Sequence, residues 1–351
     1  MRGSIVFFGS LFVCFITSLV VQANIVLPKD VPTKHWAATE IGQFFALGDE
    51  YFIQNGKFSP NRQATRADAV VAVAKMMNIS LDTRFELTVQ DVSDEAIYYQ
   101  QIRKLAELEV IQNRSEFRPN EPITRAQISK IVATAFSIQI DNKNQTSFKD
   151  LPVNHWAKHI IESLADVGVI KGKTNHMFQP DMPMTRAELI SIVVKGHNFS
   201  KAVQNYEIIY DPLFKKYINT FQHERKKENE VVEAVNKLRQ QRGIGLLQYD
   251  AELSQIALIK VQDMLEQKYF AHVSPYYGYP WDMAKIFNYD YTSFGENIAQ
   301  NFSTTPTVMD AWIASPTHYE NLLKEIYTQI GVGIKKTPTG TYYWVQLFAS
   351  K

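Results

Sequence analysis

The sequence predicts a mainly helical N-terminal half followed by a domain that mixes helices and strands, which is a mainly α fold with an α+β part. Three observations predict this: a motif that recurs three times, apolar residues at helical spacing within each copy, and two strand-like runs near the C-terminus. At 351 residues the chain is too long for one ordinary core. Two or three domains are therefore expected.

The first element is an N-terminal segment with the layout of a secretory signal. Arg2 precedes an apolar run over residues 5–21, and Ala23 supplies the small residue of a cleavage site. We therefore predict a signal peptide over 1–23, and membrane contact only through it. A retained membrane anchor is the alternative, because the apolar run of 17 residues approaches the length of a spanning helix.

Cysteine and charge content narrow the classes of function. The only cysteine, Cys14, lies in the predicted signal, so the exported chain has no disulfide to stabilise it. Without Arg2 the chain carries 36 basic and 36 acidic residues, so no net field attracts nucleic acid. A nucleic-acid partner is therefore not expected.

The tripeptide Thr-Arg-Ala marks three copies of one unit. Its arginines, Arg66, Arg125 and Arg186, lie 59 and 61 residues apart, and Trp36 and Trp156 each precede the arginine of their own copy by 30 residues. Each copy predicts a short helix, a Phe-x-Pro loop and a second helix that begins at the threonine with a capping box. The copies cover residues 28–80, 88–140 and 146–198.

These motifs resemble S-layer homology repeats, present here three times. The resemblance implies a pseudo-threefold helical prism whose grooves bind pyruvylated secondary cell-wall polysaccharide, and hence a secreted protein held at the cell wall. In such grooves an indole face covers sugar carbons, and a guanidinium pairs with the carboxylate of the pyruvyl ketal. The binding residues implied by motif are Trp36, Arg66, Arg125, Trp156 and Arg186.

A structural role for these arginines stays open, because an arginine in a first helical turn can also brace neighbouring copies through a salt bridge. The second copy departs from the pattern, with Ile97 in place of the tryptophan and Glu109 in place of a glycine. One or two working grooves are therefore expected. The expected pairs are Trp36 with Arg66 and Trp156 with Arg186.

A connector follows the third copy. Residues 199–225 carry no Gly/Ser-rich or Pro-rich tract, so this linker joins the halves less loosely than a flexible tether. Beyond it, apolar residues at helical spacing predict helices over Glu230–Leu238 and Asp250–Glu266. Two runs around Pro338-Thr339-Gly340 predict an antiparallel pair of strands at the end.

Four blocks in this second half resemble the CAP superfamily over residues 226–350. They are Phe270-Ala271-His272-Val273-Ser274-Pro275, Gly295-Glu296-Asn297-Ile298-Ala299, Ser315-Pro316-Thr317-His318 and Tyr343-Trp344-Val345-Gln346. The resemblance implies an α-β-α sandwich with a cleft lined by His272, Glu296 and His318. Its extracellular ligand or protein partner is not specified by the sequence.

The chemistry of this cleft leaves alternatives open. His272 and His318 can bind a divalent ion such as zinc, or the cleft side chains can form a hydrogen-bonded network. A second acidic residue of the family has no clear counterpart here, and no nucleophile stands beside a base. A wall-bound protein without turnover is the first hypothesis, a metal-dependent wall-tethered hydrolase the second, and a structural S-layer subunit ranks last.

Overall fold

The computed structural model describes residues 27–48, 51–174, 176–219, 224–337 and 339–351. The predicted signal peptide lies outside these residues. The first half of the described chain is helical, and the second half combines helices with a four-stranded sheet. This helix-rich composition with some sheet agrees with the predicted fold class.

The helical half consists of three consecutive helix pairs. The second helix of each pair begins directly after a threonine that forms a capping box, with its side chain accepting from the N3 backbone N–H and the N3 side chain accepting from the threonine N–H. The predicted capping boxes are thereby confirmed. The pairs are α1 (Ala38–Phe45) with α2 (Arg66–Met77), α3 (Tyr99–Glu107) with α4 (Arg125–Ala135), and α5 (Lys158–Asp166) with α6 (Arg186–Gln204).

An aspartate ties the start of each pair to the loop between its helices. The Asp30 carboxylate accepts the N–H groups of Phe58 and Ser59 at 2.8 and 2.7 Å. Asp91 and Asp150 accept the equivalent pairs of N–H groups in the other copies. These bonds satisfy backbone donors that lie outside any helix or strand, so each loop has a defined shape.

Backbone hydrogen bonds link the three pairs in cyclic order. The N–H of Arg66 donates to Glu121 O, that of Arg125 to Met182 O, and that of Arg186 to Arg62 O. The first pair is thus bonded to the second, the second to the third, and the third back to the first. In the same order, the second helix of each pair packs on the first helix of the next.

The connector has structure of its own. Helix α6 continues through residues 199–204, and strands β1 (Ile208–Asp211) and β2 (Lys216–Asn219) form an antiparallel hairpin. The predicted linker, 199–225, therefore includes the end of a helix and two paired strands. We call β1 and β2 together the bridge hairpin.

The second half is built on a four-stranded sheet. Its strands lie in the order β3-β5-β6-β4, with β3 parallel to β5 and the other pairs antiparallel. The predicted antiparallel pair at the chain end is confirmed as β5 and β6. The elements are α7 (Arg225–Gln241), β3 (Gln248–Tyr249), α8 (Ala251–Glu266), α9 (Pro280–Ile286), β4 (Ser293–Gln300), α10 (Thr305–Ala314), α11 (Pro316–Leu323), β5 (Gln329–Lys336) and β6 (Tyr342–Ser350).

Apolar side chains cover both faces of this sheet. Along β6, Val345 and Leu347 pack in one cluster with α8 and α9, whereas Trp344 and Phe348 pack in another with α7 and α10. This alternation follows from the two-residue period of a strand. Helix α8 lies so close to β5 that a Cβ on Gly333 would meet its backbone at 2.4 Å, so this position requires glycine.

Candidate functional site

The predicted tryptophans lie exposed at the start of the first helices. Trp36 is 62% exposed and Trp156 is 56% exposed, unusually high for such large apolar side chains. The preceding histidine holds the turn, because Nδ1 of His35 accepts the N–H of Ala37, and His155 repeats the contact. Both indoles are therefore presented to solvent by a fixed turn.

Clefts lie where the second helix of one pair meets the first helix of the next. Between the first and second pairs, a cleft of about 550 Å³ is lined by Tyr51, Lys75 and Ile97 among others. Ile97 occupies the position that tryptophan holds in the other two copies. A cleft of about 420 Å³ between the second and third pairs is lined by Lys130 and Ile160.

The boundary between the third and first pairs carries polar contacts across it. Lys195 Nζ lies 3.4 Å from Glu40 Oε1, and Asn198 donates to Gln43 Oε1 at 3.0 Å. Trp36 precedes α1, which packs on α6, so Trp36 stands at this boundary. Arg66, its expected partner, belongs to the boundary between the first and second pairs, so the described contacts do not bring the two together.

The three predicted arginines hold neighbouring pairs together. Arg125 is only 4% exposed and donates through Nε to Phe178 O and through Nη2 to Lys171 O. Arg66 is half-buried and donates through Nε to Phe117 O. Each guanidinium also lies over the phenylalanine ring of the next pair, an arrangement that gains from cation–π attraction.

Arg186 closes the cycle from the third pair to the first. Its side chain is buried, its Nη1 donates to the carbonyls of Phe52 and Phe58, and its Nε lies 3.4 Å from the buried carboxylate of Asp68. The geometry therefore favours the bracing role left open by the sequence. Contact of these arginines with a polysaccharide stays a prediction.

In the second half, His272 and Glu296 form a direct pair. His272 Nδ1 lies 2.7 Å from Glu296 Oε1, and the imidazole is about half exposed while the carboxylate is buried. Glu296 Oε2 is buried and has no hydrogen-bond partner among the described residues. Burial raises the pKa of Glu296, although its bond to His272 and the charge of Lys260 act in the opposite direction.

A buried lysine lies behind this pair, and the sequence analysis missed it. Lys260 is almost fully buried in α8, and its Nζ donates to His272 O at 2.9 Å and to Tyr269 Oη at 3.0 Å. Tyr269 in turn donates to Asp263. Burial lowers the pKa of Lys260. In the sequence, Lys260 lies among the apolar residues of a predicted helix, and this position could have indicated that it is buried.

His318, the third residue of the predicted cleft, lies on α11. Burial, together with the nearby charge of His272, lowers the pKa of His318, so the neutral imidazole is favoured at neutral pH. The backbone O of His318 accepts from Asn297, and Asn321 donates to Glu296 O. These bonds attach α11, which carries His318, to β4, which carries Glu296.

The described residues do not form a complete metal site. Among them, no group of three or more His, Cys, Asp or Glu side chains is arranged to hold an ion. Glu296 is occupied in orienting His272, which leaves two imidazoles, whereas zinc sites use three or four protein ligands. These residues therefore do not fit a zinc site.

Two exposed aromatic side chains lie at the start of α9, which follows the loop that carries His272. Tyr279 and Trp281 stack in parallel with ring centroids 4.8 Å apart, and both are about half exposed. A bridge between Ser274 and Gly278 fixes the loop beneath them. A rigid aromatic surface of this kind is typical of a binding site.

Comparison with protein families assigns both halves. Residues 232–348 match the cysteine-rich secretory protein family, CAP, and residues 91–128 and 147–190 match the S-layer homology domain. The matched S-layer homology segments fall in the second and third helix pairs. The first helix pair lies outside them.

Individual relatives agree with this division. An uncharacterized protein of Bacillus subtilis, YkwD, is 43% identical over 124 residues, which are 35% of this chain and 47% of that protein. The S-layer protein sap of Bacillus anthracis is 27% identical over 183 residues, covering 51% of this chain and 22% of that protein. The chain thus spans less than half the length of each.

Solved structures also match part of the chain. An extracellular protein of Bacillus anthracis that contains an SCP domain matches with 23% identity and a TM-score of 0.35, covering 43% of this chain and 50% of that one. The chain contains S-layer homology sequence and a C-terminal CAP domain, and it is a secreted cell-surface protein. Every helix in the described part is too short or too polar to cross a membrane.

Proposed function

We propose that the helical half anchors this protein non-covalently to cell-wall polysaccharide, and that the CAP domain is displayed outward. In this proposal residues 28–80 form a third S-layer homology repeat, and the three repeats form a pseudo-threefold prism. The cyclic hydrogen bonds between the helix pairs support it, as do the same aspartate and threonine contacts in all three copies.

One observation carries the anchoring proposal: two exposed indoles occupy equivalent positions at boundaries between helix pairs. Ile97, in the same position, lines a cleft, so this position faces the space between pairs. An exposed indole can cover the apolar face of a sugar ring, and nearby lysines such as Lys130 and Lys195 can pair with an acidic substituent. A pyruvylated polysaccharide has both features.

Wall binding is tested with the two tryptophans, because replacing the buried arginines would also damage the fold. The chain from residue 24 onward is mixed with purified wall sacculi, and the bound fraction is measured after centrifugation. We expect Trp36→Ala with Trp156→Ala to weaken binding about tenfold or more, since each indole is an interface anchor. Trp281→Ala, which removes another exposed indole, this one from the CAP domain, serves as the matched control.

Two outcomes would contradict this proposal. In the first, the double variant sediments as the wild type does while circular dichroism shows that it is folded. In the second, the wild-type chain still sediments with sacculi from which the wall polysaccharide has been removed. The control variant must bind as the wild type in either experiment.

For the CAP domain we propose binding of an extracellular ligand or protein partner, without turnover. The exposed stack of Tyr279 on Trp281 supports a binding role. The helices that pack on both faces of its sheet support an α-β-α sandwich. The buried Oε2 of Glu296 has no hydrogen-bond partner in the described part of the chain and belongs to a carboxylate paired with an imidazole. This favours a second candidate, a hydrolase in which the pair activates water.

Zinc content tests the metal-dependent form of the second candidate. After dialysis, the purified chain from residue 24 should hold well below one zinc per molecule by elemental analysis, because only two imidazoles remain for an ion. The variant with His272→Ala and His318→Ala should give the same low value. One zinc per wild-type chain, lost in the double variant, would favour the metal-dependent hydrolase.

A further inference from the structure

The bridge hairpin contacts both halves of the molecule, one with each face. Its strands pair in the register Ile209 with Ile218 and Tyr210 with Tyr217. Because side chains alternate across a strand, cross-strand partners share a face. One face therefore carries the two isoleucines, and the other carries the two tyrosines.

The tyrosine face packs on the helical half. Tyr217 Oη accepts the N–H of Gln139 at 2.8 Å. The ring of Tyr217 contacts that of Phe199 edge-on, with ring centroids 4.8 Å apart. Tyr210 donates to Asp141 at 3.2 Å, and burial together with Asp141 raises the pKa of Tyr210 to about 12. Both hydroxyls thus stay protonated at neutral pH and hold the loop between the second and third helix pairs.

The isoleucine face belongs to the core of the CAP domain. Ile218 is buried in the same cluster as α8 and α9, and Ile209 packs against that cluster. The fully buried carboxylate of Asp211 accepts from Tyr277 Oη at 2.5 Å and from the N–H groups of Leu213 and Phe214. This carboxylate joins the end of β1 to the CAP domain by a charge-assisted hydrogen bond.

We infer that the bridge hairpin clamps the CAP domain to the helical half, so that the two halves move as one rigid body. An isolated two-stranded hairpin is marginally stable in water, so its order here depends on both of its packed faces. A flexible tether would leave Ile209, Ile218 and Tyr217 exposed instead. The His272–Glu296 pair then keeps one fixed orientation to the clefts between the helix pairs.

The inference is tested by a distance measurement between the halves. The chain from residue 24 has no cysteine, so Arg114→Cys and Glu320→Cys place two spin labels at exposed positions, one on each half. Pulsed electron paramagnetic resonance should give one narrow distance distribution. A broad or multimodal distribution in this protein would overturn the inference, because relative motion is the usual behaviour of weakly joined domains.

Removing the tyrosine face should free the halves. We expect Tyr210→Ala with Tyr217→Ala to broaden the distance distribution about twofold or more. Tyr98→Ala, which removes a half-buried tyrosine of the second helix pair, is the matched control and should leave it narrow. An unchanged width in the folded double variant would overturn the role of the hairpin. If the double variant does not fold, Tyr217→Ala alone takes its place in the comparison.

Discussion

Asp30 shows how a single residue determines a loop in this protein. Its two carboxylate oxygens each accept one backbone N–H, whereas an asparagine offers only one acceptor oxygen. We expect Asp30→Asn to lower the free energy of unfolding at pH 7 by about 1–2 kcal/mol, because one N–H loses its partner. Urea unfolding followed by circular dichroism measures the change.

The pH dependence of this loss has a definite sign. Burial of Asp30 acts to raise its pKa, but the hydrogen bonds from Phe58 and Ser59 outweigh it and hold the pKa below the ordinary value of 3.8. Its stabilising contribution is therefore present above that value and is lost as the pH falls through the lowered pKa. The difference between wild type and Asp30→Asn should shrink accordingly in acid.

The matched control is Asp94→Asn, which changes an exposed aspartate in the corresponding turn of the second copy. It should leave the free energy of unfolding unchanged both at pH 7 and in acid. A difference between wild type and Asp30→Asn that persisted unchanged well below the pKa of Asp30 would contradict this account of the loop.

At the scale of elements, the sequence was informative wherever the signal was local. The threonine caps, the Phe-x-Pro loops and the final strand pair depend on neighbouring residues, and the structure contains them where the patterns predict. The bridge hairpin was not predicted, because its order depends on contacts with Gln139, Asp141 and Tyr277, which are distant in sequence.

The predicted sites were likewise found only where a local motif marked them. His272 and Glu296 were found by motif and do form a pair. Lys260 was missed because its partners are brought together only by the fold. The burial of Arg125 and Arg186 was equally hidden, since an arginine in a first helical turn is expected at the surface and only the next helix pair covers it.

At the scale of the whole molecule, the chain forms a cycle of three helix pairs and a second domain held against it by the bridge hairpin. The cycle is closed by contacts between residues far apart in sequence: Arg186 reaches Phe52, Phe58 and Asp68 of the first pair. Closing so long a loop costs conformational entropy. The closing contacts are therefore expected to be the ones on which the helical half most depends.

Arg186→Met tests this dependence. The substitution removes the cation from the buried Asp68 carboxylate and the Nη1 donor from the carbonyls of Phe52 and Phe58, so we expect the free energy of unfolding to fall by about 3–5 kcal/mol. Arg66→Met is the matched control at the boundary between the first and second helix pairs. Arg66 is half-buried and donates to Phe117 O, so its replacement should lower the free energy of unfolding by about 1 kcal/mol. Urea unfolding of the two variants decides the matter. Equal losses would mean that closure of the cycle carries no special weight in holding the three helix pairs together.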